Sequence, residues 1–183
     1  MVKASAWHWW TAVSPENYKD GLIYTDYSNP GDPETIYPSK TLWALGNFSR
    51  FIRPGAIRVS LGGENDELDG LLASTYKNEI GEDVIVVYVN MSDLPIEVAL
   101  TIDGLEETDR IASFTPYVTS DEWEHDLLEY PAISPDERYT VPARSVVTLV
   151  GRVAPIPEPS TLALLTTAAL GLLAYAWRNR RRR

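Results

Sequence analysis

The chain has 183 residues, a formal net charge of −10 and no cysteine. The absence of cysteine excludes a disulfide framework, a thiolate nucleophile and cysteine-ligated zinc. All 26 acidic residues precede residue 159, where 11 of the 16 basic residues also lie, so this part carries a charge of −15. Such a surface repels phosphate backbones, and we expect no nucleic-acid partner.

The first segment with a structural signal is aromatic. Residues 4–13 predict one buried strand, on which Trp7 and Trp9 share one face while His8 and Trp10 share the other. An indole face packs well against the apolar face of a pyranose, so the three tryptophans are candidate sugar-contacting residues. Packing in the protein core is the alternative interpretation.

A long loop and one helix follow. Proline, glycine, asparagine and tyrosine dominate residues 14–38, a composition typical of turns. Ser39 is a suitable N-cap for a helix over 39–51, and Pro54 with Gly55 ends it.

After residue 56 the pattern becomes that of β-structure. Alternating or continuous β-branched runs predict strands over 57–61, 71–76, 84–89, 96–102, 110–119 and 145–150. Turn residues separate these runs and no helix lies between them, which indicates an antiparallel β-sandwich.

Two acidic segments carry oxygen or nitrogen ligands that a metal ion could use. Residues 64–69 have the oxygen ligands that calcium prefers, but their spacing matches no EF-hand, so an acidic hairpin turn is favoured. Residues 121–126 include His125 without a second histidine at ligand spacing, which favours a solvated face. We predict no metal and no cofactor.

The last 27 residues have three parts. The Pro-rich motif Pro157, Glu158, Pro159 and Ser160 precedes an uncharged stretch over 161–177, and a basic cluster follows it. The cluster includes Arg178, Arg180 and Arg181. At about 1.5 Å per residue the stretch extends roughly 26 Å, which predicts a transmembrane helix with the arginines on the cytoplasmic side. A buried amphipathic helix with a basic end is the alternative.

This order resembles the PEP-CTERM signal of bacteria, which exosortase-type enzymes process. The resemblance implies a cell-envelope protein, anchored by the helix before processing, with the preceding residues outside the cytoplasm. Residues 1–6 show no apolar h-region or cleavage site. Either export is unusual or the true N-terminus lies upstream, and we favour the second explanation.

A second resemblance covers about residues 4–151. Residues 40–59, with the element SRFIRPG at 49–55, resemble the junction between barrel and side domain in glycoside hydrolase family 30. Residues 6–12 resemble the eighth barrel strand of that family. Three further segments resemble its sandwich strands in the same order, at 73–77, 84–90 and 141–148.

The resemblance implies a domain organisation. Residues 1–55 would be the last strand, loop and helix of a truncated (β/α)8 barrel, 56–152 its β-sandwich side domain, and 153–183 the sorting segment. The two catalytic glutamates of the family lie on the fourth and seventh barrel strands, so this chain would contain neither. Trp10 matches the most regular aromatic position and Trp7 a usual one, whereas His8 and Trp9 depart from the pattern.

Two functions of different classes fit the sequence. The first is the C-terminal part of a secreted, surface-sorted retaining endo-β-glycanase that acts on a β-linked polysaccharide and is inactive alone. Its parent would resemble a β-1,6-galactanase, β-1,6-glucanase or xylanase. The second is a carbohydrate-binding or structural module at the bacterial envelope. A sorting-domain protein of unknown role, in which only the tail is interpretable, is the remaining alternative. In the first case the truncated fold would expose a sheet edge and aromatic surface.

Overall fold

The computed structural model describes residues 7–15, 20–26, 35–60, 67–68, 70–79, 83–102, 109–155 and 161–180. They belong to two compact units. The first is drawn from 1–104 and 111–153, and the second from 105–110 and 154–183.

Twelve strands and two helices are assigned in the described residues. The strands are β1 (Val13–Ser14), β2 (Ile23–Asp26), β3 (Thr35–Pro38), β4 (Ile57–Val59), β5 (Glu67–Leu68), β6 (Leu71–Lys77), β7 (Val84–Asn90), β8 (Ile96–Val98), β9 (Asp109–Ser120), β10 (Asp126–Glu129), β11 (Tyr139–Val141) and β12 (Ser145–Pro155). The helices are α1 (Lys40–Ser49) and α2 (Thr161–Arg180). The predicted mainly-β class is confirmed.

A seven-stranded sheet in the order β10-β9-β12-β7-β6-β4, with β5 also paired to β6, forms the main layer. The central strand β7 pairs antiparallel with both β6 and β12, and Val86 lies opposite Thr75 on one side and Leu149 on the other. Nearly every residue of β7 is buried. A continuous β-branched run of this kind is buried on both faces of a sheet, so each face needs a cover.

Helix α1 covers one face. Ser39 caps it, since the Ser39 hydroxyl accepts a hydrogen bond from the Leu42 amide at 3.2 Å. Asn47 in α1 is fully buried, and its amide nitrogen donates to Thr119 Oγ1 of β9 at 2.7 Å. Thr148 of β12 donates to the Asn47 carbonyl oxygen at 2.7 Å. The helix is therefore joined to the sheet by buried polar bonds.

The other face of β12 is packed around an aromatic ring. Gly151 lies three residues from Thr148 and so faces the opposite side. A Cβ at Gly151 would lie 2.5 Å from Phe114 Cε1, so only glycine fits this close approach. Strands β8 and β11 pair antiparallel as a separate two-stranded sheet with Val98 and Val141 buried.

Several sequence predictions on the N-terminal part were wrong. The predicted buried strand over 4–13 is reduced to Val13–Ser14 within the described residues, and Trp10 is 86% exposed. The predicted loop over 14–38 contains β2 and β3, which pair antiparallel, while β1 runs parallel to β2. Pairing between strands brings these short segments together, and the turn-like composition of each segment does not predict that pairing.

The main strands and α1 agree with prediction, with ends shifted by a few residues. The exceptions are the predicted strand over 96–102, which ends at Val98, and β12, which continues to Pro155. Strands β10 and β11 were not predicted. Both are short, and their pairing with β9 and β8 defines them.

Helix α2 fills the predicted helical stretch, but the transmembrane assignment of 161–177 is not supported. Among the described residues, no helix combines the length and the apolar character needed to cross a membrane.

Candidate functional site

Three exposed tryptophans lie in the chain just before β1. Trp7, Trp9 and Trp10 are 62%, 39% and 86% exposed. The Trp7 and Trp9 rings meet edge to face, with centroids 5.7 Å apart and an interplanar angle of 68°. We call Trp7, Trp9 and Trp10 the aromatic cluster. The structure therefore presents these predicted residues at the surface, where a ligand can reach them.

A hydrogen bond fixes one ring of the cluster. Trp9 Nε1 donates to the carbonyl oxygen of Asp20 at 2.7 Å. The polar edge of the indole is thereby satisfied, as buried and interfacial tryptophans require. Sequence patterns could not have shown this contact, because the acceptor is a backbone carbonyl eleven residues away.

The cap of α1 supports the same region. Ser39 Oγ donates to the Gly21 carbonyl at 3.1 Å, and the Ser39 amide donates to the Leu22 carbonyl at 2.9 Å. The Leu22 amide in turn donates to the Thr11 carbonyl at 3.1 Å. The residues that follow Trp10 are therefore tied to the start of α1, a rigid element suited to positioning a site.

The turn between β9 and β10 forms a polar cluster. His125 lies between two hydroxyls, with Ser120 Oγ 2.8 Å from Nδ1 and Tyr130 Oη 2.9 Å from Nε2. Lys40 Nζ donates to the carbonyls of Glu122 and His125 at 2.8 and 3.3 Å. It is also an ion-pair partner of Asp126, at 2.6 Å. Residues 120–126, which we call the β9–β10 turn, are thus docked on α1.

Residues 121–124 are exposed, as the prediction of a solvated face for residues 121–126 expects, whereas His125 and Asp126 are partly covered. The His125 side chain is only 15% exposed and its ring nitrogens both have partners. Spacing alone could not reveal this, because Tyr130 and Lys40 come from a strand end and a distant helix. In the part of the chain that the structure describes, no three His, Asp or Glu side chains are grouped to hold a metal ion.

An arginine links two loops beside that turn. Arg144 Nε donates to Asp121 Oδ2 at 2.9 Å, and Arg144 Nη1 lies 3.4 Å from Asp93 Oδ1. Hydrogen bonds with Asp121 and Asp93 raise the pKa of the Arg144 guanidinium. Arg144 adopts a left-handed backbone conformation with φ of 46°.

The remaining predicted site residues are only partly described. Pro157, Glu158, Pro159, Ser160 and Arg181 lie outside the described residues. Arg178 and Arg180 lie in the last turn of α2. Of the acidic segment 64–69, the structure describes residues 67 and 68 in β5.

Comparison with known proteins identifies the tail. Residues 155–182 match the PEP-CTERM protein-sorting motif. The chain carries a PEP-CTERM sorting signal. It is therefore a secreted protein sorted to the cell envelope, and the predicted sorting motif is confirmed.

Solved structures share the fold of the remaining residues. A conserved exported protein from Bacteroides fragilis is 30% identical, with a TM-score of 0.64 over 80% of this chain and 30% of that one. A glycoside hydrolase family 30 subfamily 8 xylanase from Clostridium acetobutylicum is 20% identical, with a TM-score of 0.57 over 73% of this chain and 31% of that one.

A GH30 endoxylanase from Clostridium papyrosolvens C71 gives a TM-score of 0.53 at 23% identity, covering 63% of this chain and 28% of that one. The chain has the fold of part of these xylanases. It spans less than a third of the length of each of the three proteins.

Proposed function

We propose that this chain is the C-terminal portion of a surface-sorted, retaining endo-β-glycanase, and that the aromatic cluster contacts the sugar. The observation that carries the proposal is the exposure of Trp7, Trp9 and Trp10 on a fold shared with family 30 xylanases. Exposed indoles are costly unless a ligand or partner covers them. A pyranose offers the apolar C–H face that packs on an indole.

Hydrolysis would need residues beyond those described for this chain. A retaining glycosidase uses two carboxyl groups about 5–5.5 Å apart on either side of the scissile bond. We propose that these come from the barrel portion of the fold, and that the aromatic cluster orients the chain of sugars beside them. Alone, the 183-residue chain is then inactive, whether the parent acts on xylan, β-1,6-galactan or β-1,6-glucan.

A complementation assay tests this proposal. The full chain is incubated with each of the three polysaccharides, and the released reducing ends are measured. Each incubation is done with and without a separately produced fragment that contains the first seven β/α units of the barrel of a family 30 enzyme. We expect no release by the chain alone and release by the pair. Hydrolysis by the purified chain alone would overturn the proposal, as would inactivity of every pairing whose two parts associate.

The aromatic cluster has its own test within that assay. In the active pair, Trp10→Ala should lower the rate at low substrate concentration by at least about tenfold. This factor corresponds to the loss of roughly 1.4 kcal/mol of stacking free energy between the indole and the sugar. Ile36 in β3 is also an exposed apolar side chain. Ile36→Ala therefore serves as the matched control and should leave the rate unchanged. An equal rate for Trp10→Ala and the parent pair would remove the cluster from the substrate path.

The sorting signal implies an exosortase-type processing partner. We propose that this enzyme recognises Pro157, Glu158 and Pro159 and acts near them. Co-production of the full chain with such an enzyme should give a product whose mass has lost the segment over 161–183. Replacing Glu158 and Pro159 by alanine should abolish the shortened product, while Thr166→Ala should not. Identical masses with and without the enzyme would exclude processing.

A second function is favoured by the completeness of the core around β7. That strand is buried on both faces by residues of the described chain itself, which is what an independent module needs. Under this hypothesis the chain is a carbohydrate-binding or structural module at the envelope. Retention of the full chain on a polysaccharide column, with no hydrolysis in any pairing, would favour it over the glycanase.

A further inference from the structure

Another exposed tryptophan lies far along the chain from the aromatic cluster. Trp123 stands at the apex of the β9–β10 turn and is 89% exposed. Its neighbours on both sides are glutamates. The folded core gains nothing from an indole in this position, since almost none of its apolar area is removed from water.

The backbone that carries Trp123 is unusually well fixed. The Ser120 amide donates to the His125 carbonyl at 3.1 Å, and Ser120 Oγ accepts from the Glu122 amide at 3.2 Å. The Asp126 amide donates to the Glu124 carbonyl at 2.8 Å. Lys40 adds two further bonds from α1 to the same turn. A side chain presented on a preorganised loop loses little conformational entropy when it binds a ligand.

A cleft adjoins this turn. It has a volume of about 390 Å³ and lies between the first turn of α1 and the ends of β7, β9 and β12. Its polar lining includes Lys40, Thr41, Ser120, Asp121, Arg144 and Ser145. Small-molecule sites in proteins typically measure about 300–1,000 Å³. The cleft is thus large enough for a small ligand that also reaches the turn.

The charges around the cleft select the ligand. Segment 121–126 contains four carboxylates, and the two cations of the lining are already paired. Lys40 pairs with Asp126, and Arg144 pairs with Asp121 and Asp93. The local field therefore disfavours phosphates and uronic acids. Carboxylates accept hydrogen bonds from hydroxyl groups, so a neutral ligand rich in hydroxyls suits both the acids and the indole.

We propose that Trp123 and the adjoining cleft form a second glycan-binding site, which takes a neutral β-linked chain. One sugar ring stacks on the indole, and the hydroxyls of neighbouring sugars donate to carboxylates such as Asp121. The choice of a glycan as the ligand rests on the proposed function. The site uses none of the residues of the aromatic cluster, and it would hold the polysaccharide without taking part in bond cleavage.

Calorimetric titration of the full chain with xylohexaose and with a β-1,6-linked gluco-hexaose tests the site. Trp123→Ala should weaken the binding of at least one of them about tenfold. Trp123→Phe should retain most of the affinity, because an aromatic face remains. Ile36→Ala is the matched exposed control and should bind as the parent does. Thermal unfolding of each variant should be unchanged, since Trp123 is exposed.

Three outcomes would overturn the site. The first is that Trp123→Ala and the parent bind the oligosaccharides with equal affinity. The second is that the parent binds neither oligosaccharide. The third is that the parent binds hexalysine in place of the sugars, and that this binding depends on Trp123. The last would identify a cationic peptide as the ligand.

The two proposals fail separately. A failure of the second site leaves the complementation assay and its Trp10→Ala arm unaffected. A failure of complementation leaves the Trp123 titration fully interpretable, because that titration requires no hydrolysis.

Discussion

Replacing Asn47 by alanine should destabilise the domain by about 3 kcal/mol. The Asn47 side chain is fully buried and makes three hydrogen bonds. Its amide nitrogen donates to Thr119 Oγ1 at 2.7 Å and to the Trp43 carbonyl at 3.1 Å. Its Oδ1 accepts from Thr148 Oγ1 at 2.9 Å. Two of these bonds join α1 to the main sheet.

The magnitude follows from what remains after truncation. Thr148 can still donate to the Asn47 carbonyl at 2.7 Å, and Thr119 Oγ1 still accepts from the Leu127 amide at 3.1 Å. Neither hydroxyl is left without a partner, so the full penalty of an orphaned polar group does not apply. Two lost sheet bonds cost about 2 kcal/mol net, and the small cavity costs about 1 kcal/mol more.

Urea unfolding followed by far-ultraviolet circular dichroism measures the effect. With a slope of about 2 kcal/mol per molar urea, the midpoint should fall by about 1.5 M. Ser49→Ala, an exposed change in the same helix, is the matched control and should stay within about 0.5 kcal/mol. The Thr148→Val variant completes a double-mutant cycle, in which a coupling energy of at least about 0.5 kcal/mol is expected.

Two results would refute this reasoning. One is an Asn47→Ala midpoint that matches the Ser49→Ala control. The other is strict additivity of the Asn47 and Thr148 changes, which would mean that the two side chains contribute independently. Either result would show that apolar packing, and not the buried polar network, holds α1 on the sheet.

Three further changes have defined outcomes. Gly151→Ala should cost about 2 kcal/mol in urea unfolding, because its Cβ would overlap Phe114. Gly171→Ala in α2 is its control, because a Cβ there would meet nothing within 4 Å beyond its chain neighbours and the backbone of its own helix, and equal effects would contradict the packing argument. Burial raises the pKa of Tyr88 from 10.0 to about 12. Its stabilising contribution is therefore complete below pH 10 and is lost as pH rises towards 12. The loss should be smaller in Tyr88→Phe in alkaline unfolding, where Tyr139, whose pKa burial also raises to about 12, still contributes. Lys40→Ala should cost only about 1 kcal/mol, because its ion pair is exposed, yet it should speed amide exchange throughout the β9–β10 turn. Unchanged exchange there would show that Lys40 does not hold the turn.

Local sequence signals predicted the elements that depend on neighbouring residues. The Ser39 cap acts three residues along the chain, at Leu42, and the β-branched run of β7 defines a buried strand by itself. The sorting signal is likewise a linear motif, and it matched over 155–182. The helix assignment of 161–177 also held, whereas its transmembrane assignment is not supported in the part of the chain that the structure describes.

The surroundings of the candidate sites could not be predicted in this way. The exposure of the aromatic cluster depends on which strands lie beside it, and the predicted strand over 4–13 was wrong for that reason. The docking of the β9–β10 turn joins Lys40 to carbonyls more than eighty residues away. Periodicity describes the face that a residue occupies within one element, but it does not identify the element that covers that face.

The sequence by itself determined the compartment, the mainly-β class and the capped helix, because each is set by residues adjacent in the chain. Only the tertiary structure decided that Asn47 would meet Thr148, 101 residues later, and that Trp10 and Trp123 would remain at the surface. Burial and hydrogen-bond partners arise from contacts between distant segments. Such contacts form only when the whole sheet and its helix pack together.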